Sequence, residues 1–340
     1  MATTVAKAKS PNTKIISEID DLNTRAWEIH ASQPTLGLEL STQAEKLAKE
    51  IQYQKGLAYA TRNIGVSNRY LSNLETALSH SIQALEMFIE MGDNFGASQA
   101  LVSIGAIYYY MGDYEKGLDY FLQGLQNGKE VNNTEAMAYA YNGAGYIYSL
   151  LGEHNKGLEF LHMALLLSRE LQNYNLECSI LDSVAVVYLN DEQLDKAYDA
   201  YLECLHQSEK NNIKRNIGYA FFGIGDILAK RNKLEEAKEY FLKSLQIREE
   251  IGYKVGTAQS LLHIGKIFLL QQNFPEAIQS LKQSLEVAES IKAKAVIYEA
   301  HEAFSELYRQ TKDFDLFVHH YQLFHKYKSE VFKDEQESKQ

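Results

Sequence analysis

The sequence predicts an all-α fold, an α-solenoid of helix-turn-helix units with a 40-residue period. Two ladders and one absence carry that reading. Gly65, Gly105, Gly145, Gly225 and Gly265 share one phase, with Ala185 and Ser305 in the gaps. Leu85, Leu125, Leu165, Leu205, Leu245 and Leu285 keep the same step. No stretch of useful length alternates apolar and polar residues, as a half-buried strand would.

Taken in order, the chain starts with residues 1–13, polar and without an apolar run, which are expected to form a disordered tail. The superhelix is expected over 14–328 in about eight units. The first unit is degenerate. Gly37, Ser41 and Ala44 stand 40 residues before Ala77, Ser81 and Ala84, but Arg25 occupies the place of the ladder glycine. Seven fuller units run from about 58 to 328. In residues 98–136, Leu101, Ile104, Gly105 and Tyr108 make one helical stripe, Met111-Gly112-Asp113 a turn, and Tyr114, Gly117, Leu118, Phe121, Gly124 and Leu125 a second stripe. A break recurs in phase at 51–56, 91–96, 131–134, 171–176, 211–216, 251–256 and 291–296. At the end, Phe314, Phe317, Tyr321, Phe324 and Val331 predict an apolar helix face that caps the last unit, with 329–340 as its polar end. The same stripe has a seam-like period, so a homo-oligomer through this helix is the competing arrangement, although Lys328 interrupts the seam.

The small residues imply close helix crossings. A glycine within a helix costs about 1 kcal/mol relative to alanine, and a cost accepted repeatedly at one phase points to a steric requirement. On the second helix Ala77, Gly117, Gly157, Ala197, Ala237 and Ala277 meet the same requirement, followed seven residues later by Ala84, Gly124, Ala164, Cys204, Ser244 and Ser284. Bulky Phe121, Leu161, Tyr201, Phe241 and Leu281 fill the space between.

These positions resemble the tetratricopeptide repeat. Its small eighth, tyrosine-like eleventh, alanine twentieth, aromatic twenty-fourth and alanine twenty-seventh positions fall on Gly105, Tyr108, Gly117, Phe121 and Gly124, and again on Gly225, Leu228, Ala237, Phe241 and Ser244. The resemblance implies a right-handed superhelix. The period exceeds the usual 34 residues. The repeat-ending proline is missing, so the second helix is expected to run on by more than a turn.

Composition narrows the function. A formal net charge of −11 disfavours nucleic acid and anionic membrane as partners. No run approaches a membrane span, and no secretory h-region is present, which with Cys178 and Cys204 read as buried thiols points to the cytoplasm. Catalysis is not expected. No glycine-rich loop follows a strand, no nucleophile has a base and an orienting partner, and His319, His320 and His325 do not share one helix face. No cofactor and no metal site are expected.

In repeats of this kind the first helices line the concave side. By resemblance, the positions facing it include Tyr59, Arg62, Arg69 and Tyr70, then Tyr109, Tyr110, Tyr139, Asn142 and Tyr146, and later Asp182, Asn190, Tyr219, Phe222, Asp226, Lys230 and Lys266. The partner-binding set read from them is Tyr109, Tyr139, Asn142, Tyr146, Tyr219, Phe222 and Asp226, because aromatic anchors bury area at low entropy cost. The alternative is that several of these tyrosines pack between adjacent first helices. The basic clamp for a peptide carboxylate lacks its second half, since Gln99, Val102 and Ala106 stand where it would be. The asparagine ladder of some arrays is missing too, the sixth position reading Asn63, Ser103, Gly143, Ser183, Gly223, His263 and Ala303. The chain end and the unit loops resemble the repeat arrays of bacterial cyclases, diguanylate cyclases and histidine kinases. The function implied is a protein- or peptide-binding scaffold acting as the input module of a signalling protein. The alternative is a stand-alone adaptor that joins partners.

Overall fold

A computed structural model describes residues 11–337. Among the described residues there are sixteen α-helices and no strand. They are α1 (Pro11–Ile29), α2 (Pro34–Glu50), α3 (Gln54–Tyr70), α4 (Leu74–Met91), α5 (Asn94–Tyr110), α6 (Tyr114–Glu130), α7 (Thr134–Leu150) and α8 (His154–Glu170). Then follow α9 (Tyr174–Asn190), α10 (Leu194–Lys210), α11 (Lys214–Lys230), α12 (Leu234–Glu250), α13 (Lys254–Leu270), α14 (Phe274–Ser290), α15 (Lys294–Thr311) and α16 (Phe314–Glu337). The chain divides into two compact units, Met1–Ile147 and Tyr148–Gln340, with the boundary inside α7. Of the tail expected over 1–13, residues 1–10 lie outside the described residues, while Pro11, Asn12 and Thr13 open α1. The first helix of the degenerate unit forms despite Arg25. It buries Ile19, Leu22 and Ala26 against Leu40, Ala44 and Ala48 of α2. Residues 338–340 of the expected polar end also lie outside the described residues.

The six residues beyond the usual period are not all in the second helix. From α5 to α14 every helix has 17 residues and every turn has three, so both helices of a pair share the added length. Each turn between helices from α2 onward contains one residue at positive φ, spaced by twenty from Gln52 to Lys312. After α4, Gly92 N–H donates to Ile89 O at 3.1 Å and Asp93 N–H to Phe88 O at 2.9 Å. That pair of bonds is a Schellman motif, which satisfies carbonyls the helix end leaves open. The same two bonds follow α12, from Gly252 to Glu249 O and Tyr253 to Arg248 O. The next residue's carbonyl then starts the following helix, as Tyr253 O accepts from Thr257 N–H at 2.9 Å.

Packing follows the ladder of small residues. In the first unit a Cβ on Gly105 would sit 3.1 Å from the carbonyl oxygen of Gly117, and one on Gly117 3.2 Å from that of Gly105. The two backbones therefore touch at their glycines. Phe121 of α6 lies against Gly105, and its ring tip would be 2.2 Å from a Cβ on Gly143 of α7. In the second unit Tyr201 of α10 occupies the same space beside Gly223 of α11. The sixth position is glycine there because a ring from the preceding second helix fills the place an asparagine side chain would take. Among the described residues α1 touches α3 and α3 touches α5 in the first unit, and in the second α9 touches α11 and α13 touches α15, with the Phe222 ring of α11 meeting His263 of α13. Among the described residues the even-numbered helices pack mainly on odd-numbered ones, and an Arg169–Glu203 ion pair links α8 to α10. Within each unit the odd helices thus form one layer, which the repeat resemblance makes the inner layer.

The last helix packs on α15, but not with the whole stripe that the apolar residues suggested. Phe324 is buried, whereas Phe314 is 65% and Tyr321 48% exposed. The buried face turns instead on His320, which stacks on Phe304 at 4.6 Å and Tyr308 at 5.4 Å. His301 Nδ1 and His320 Nδ1 are 2.9 Å apart, one donating and one accepting, and Tyr327 stacks on His301 at 5.7 Å. A histidine counted as polar was part of the apolar face. Burial lowers both imidazoles to about 4, helped by His319.

Two tests follow. Gly252→Ala is expected to cost about 1 kcal/mol in urea denaturation, although nothing lies within 4 Å of the added Cβ, because only the positive φ resists it. Unchanged stability would contradict the turn. The two histidines have folded pKa values below the unfolded one, so their contribution is present above about 6.5 and is lost as pH falls toward about 4. The Tm of wild type should therefore fall more between about pH 7.5 and about pH 5 than that of His320→Phe, which keeps the stack without the titration. Equal losses would show that the pair does not govern the acid limb.

Candidate functional site

The inner layer of the first unit is built around two arginines of α3. Arg62 is buried with its guanidinium 4.0 Å from the Trp27 ring centre and 4.9 Å from that of Tyr59. It donates through Nε and Nη2 to Asn63 Oδ1 at 3.1 and 2.8 Å, and through Nη1 to Gln99. Asn63 in turn donates to Asn23 O at 2.9 Å. Burial lowers the Arg62 pKa to about 10, opposed by Tyr59, Glu135 and Asp93. Burial also holds Glu135 above the usual carboxylate range, against Arg62 and hydrogen bonds from Trp27 and Gln99. Tyr59 donates to Asp93 Oδ2 at 3.0 Å, and burial with that carboxylate pushes it up to about 12.

Arg69, two turns further along α3, lies over Tyr70 at 4.2 Å and faces Tyr110 at 5.6 Å. Its Nε is buried without a hydrogen-bond partner. Tyr139 of α7 is half-buried, and burial raises its pKa, with Tyr70 and Glu135 adding and Arg69 opposing. Asn142 Oδ1, on the same helix, is also buried without a partner. Tyr109 and Tyr146 meet edge to face at 5.6 Å, so this pair packs between adjacent first helices, and burial raises the Tyr109 pKa.

In the second unit Arg248 comes from the second helix α12 and reaches the inner layer. It is 2% exposed, donates to Gly256 O at 2.9 Å and Ser260 Oγ at 3.1 Å, and lies 4.5 Å from the Phe222 ring centre. Tyr219 donates to Tyr253 Oη at 3.1 Å. Phe222 meets His263 edge to face at 4.7 Å. Burial pushes Asp182 up to about 6, opposed by Arg248 and Arg215, and holds His263 down near about 3. Asp226 is raised by burial and opposed by Lys230 and Lys266, the latter paired with Glu299 at 3.0 Å.

Of the residues read from the sequence, Tyr109, Tyr139, Asn142 and Tyr146 lie in the first unit and Tyr219, Phe222 and Asp226 in the second. Each set sits on odd-numbered helices of its own unit. Two contributors were missed. Glu135 precedes the start of its motif. Arg248 is on a second helix, where Ala48, Phe88, Gly128, Ser168, Ser208 and Ala288 share its phase. The intrusion of a charge into that mostly small ladder was the available signal. Chemically the surface offers rings, buried cations and unpaired polar atoms. Among the described residues no three His, Cys, Asp or Glu side chains are grouped to hold a metal ion, and no helix is long and apolar enough to cross a membrane.

Comparison with known proteins agrees with the helical fold. No curated protein matches the sequence. Among solved structures the chain is similar to the apo form of RapI, with 17% identity and a TM-score of 0.63 over 81% of this chain and 99% of that one. It is similar to NprR in complex with its cognate peptide NprX, at 16% identity and a TM-score of 0.59, covering 89% of this chain and 88% of that one. It also resembles a signal-transduction ATPase with a tetratricopeptide repeat sensor from Pyrococcus horikoshii, at 13% identity and a TM-score of 0.68, covering 96% of this chain and 51% of that one. At these identities the likeness speaks to the fold. The tetratricopeptide repeat family model matches residues 56–130 and 217–290, so these two segments carry that repeat, here with a 40-residue period.

Proposed function

We propose that the chain is a binding scaffold that takes a protein or peptide segment on the surface lined by its odd-numbered helices. The observation that carries this reading is two unpartnered polar atoms on odd-numbered helices of the first unit, Arg69 Nε, set among Tyr70, Tyr110 and Tyr139, and Asn142 Oδ1, three residues beyond Tyr139 on α7. A buried donor or acceptor without a partner costs about 1–3 kcal/mol, and a ligand backbone that supplies the missing partner recovers it. An extended peptide offers both an N–H and a carbonyl at each residue. The tyrosines supply apolar area around them. NprR, whose fold is similar, was solved with its cognate peptide, which supports a peptide as the ligand here.

The scaffold serves, in this reading, as the input part of a signalling system in the cytoplasm. Two precedents frame how. The RapI chain is matched over 99% of its length, as a free-standing array would be, and the ATPase over 51%, as an attached sensor would be. The first favours an adaptor and the second an input module joined to an output.

Tyr139→Ala combined with Tyr219→Ala tests the surface in both units. Affinity capture from the native host, followed by titration of the captured partner, should show binding weakened at least about tenfold, equivalent to about 1.4 kcal/mol, with helicity by circular dichroism unchanged. Loss of helicity would assign the two tyrosines to the core, and undiminished binding would place the partner elsewhere.

A further inference from the structure

The two cysteines of the chain, Cys178 on α9 and Cys204 on α10, are both fully buried, and they face each other across one helix pair. Cys204 Sγ donates to the carbonyl oxygen of Cys178 at 3.4 Å. The same bond recurs one and two units later, from Ser244 to Gly218 O at 2.8 Å and from Ser284 to Ala258 O at 2.7 Å. This crossing therefore sets the side chain of the later residue directly over the backbone of the earlier one. The equivalent positions in other pairs are small: Ala58 with Ala84, Ser98 with Gly124, and Ala138 with Ala164. Only this pair of helices carries sulfur on both sides of the contact. Each thiol is also the largest influence on the other's proton. Cys204 shifts the Cys178 thiol toward its thiolate, and the Cys204 thiol is raised by Cys178, by burial and by Asp182.

We infer that Cys178 and Cys204 are a reversible oxidation site, closing to an intrachain disulfide across α9 and α10 when a hydroperoxide is the oxidant. The Cys178 thiolate attacks one peroxide oxygen, the O–O bond breaks, and a sulfenic acid forms while the other oxygen leaves as water after taking up a proton. The Cys204 sulfur then attacks the sulfenic sulfur. The S–S bond forms, the S–O bond breaks, and the hydroxyl leaves as water with the Cys204 proton. Two thiols lose two electrons in total and one hydrogen peroxide becomes two waters. The bond would lock α9 to α10 four residues from Asp182, one turn along α9 on the inner surface.

The test treats the full chain in its native state with a small excess of hydrogen peroxide. Thiols are counted in denaturant, and the intact mass and the peptide map are taken. The expected result is loss of both thiols together, a mass lower by about 2 Da, a linked Cys178–Cys204 peptide, and return of both thiols with dithiothreitol. Cys178→Ala and Cys204→Ala, each an alanine found at the matching site of another unit, should give no linked peptide and no loss of 2 Da, and should fold. Two thiols untouched in the native chain but oxidised in urea would overturn the inference, since burial would then exclude the oxidant. Sulfinic or sulfonic acid on one cysteine, or a disulfide between chains, would overturn it equally.

Discussion

From α5 to α14 every helix is stopped after the same seventeen residues, and the chain does this with one left-handed residue per turn. From Gln52 to Lys312 that residue recurs at intervals of twenty, and its N–H and the next one return to the last carbonyls of the helix just ended. The following carbonyl opens the next helix. Ending and starting are thus one hydrogen-bonded unit of three residues. Equal helices then bring the small residues of each pair to the same height, which lets Gly105 meet Gly117 and lets Phe121 reach Gly143. If the turns varied in length, the small residues would slide out of register and the rings would have no gap to enter.

The packing and the places of the turns, at 111–113 and within the breaks from 51–56 to 291–296, were legible in the sequence, and the left-handed residue in each turn was not, for a physical reason. Close contact excludes side chains by size, so it leaves Gly, Ala and Ser in phase. Positive φ only taxes side chains, by roughly 1–2 kcal/mol. A long array pays this tax ten times with Gln, Ser, Asn, Glu and Lys, and the residue type records nothing. The last helix packs on α15 as expected, but its buried face was only partly legible for a related reason. Its packed face includes half-buried His320, whose stacked imidazole has its pKa lowered to about 4, and an apolar count passes over it. The candidate tyrosines were visible because resemblance assigns them to first helices. Arg248 was hidden because it crosses from a second helix to the inner side.

The inner surfaces also share an electrostatic character that composition conceals. The chain is acidic overall, yet Arg62 and Arg248 are buried with amides, carbonyls, a hydroxyl and rings as their immediate partners. Carboxylates stand near them, Glu135 and Asp182, both held above their ordinary range by burial. Charges so placed are costly, and a cost of this kind is retained where orientation matters more than stability. Cation–ring contacts fix the guanidinium planes, and Glu135 is held in turn by Trp27 and Gln99.

The twenty-residue spacing has a consequence for how such a chain can change length. Adding or removing one helix with its turn would preserve every cap and every hydrogen bond at the junction. It would also exchange the two layers from that point onward, sending the ring-bearing faces outward and the solvated faces inward. Growth by a single helix is therefore locally silent and globally ruinous. Only steps of forty keep inside and outside distinct, so the true indivisible module of the array is the pair, although the turns alone would suggest the single helix.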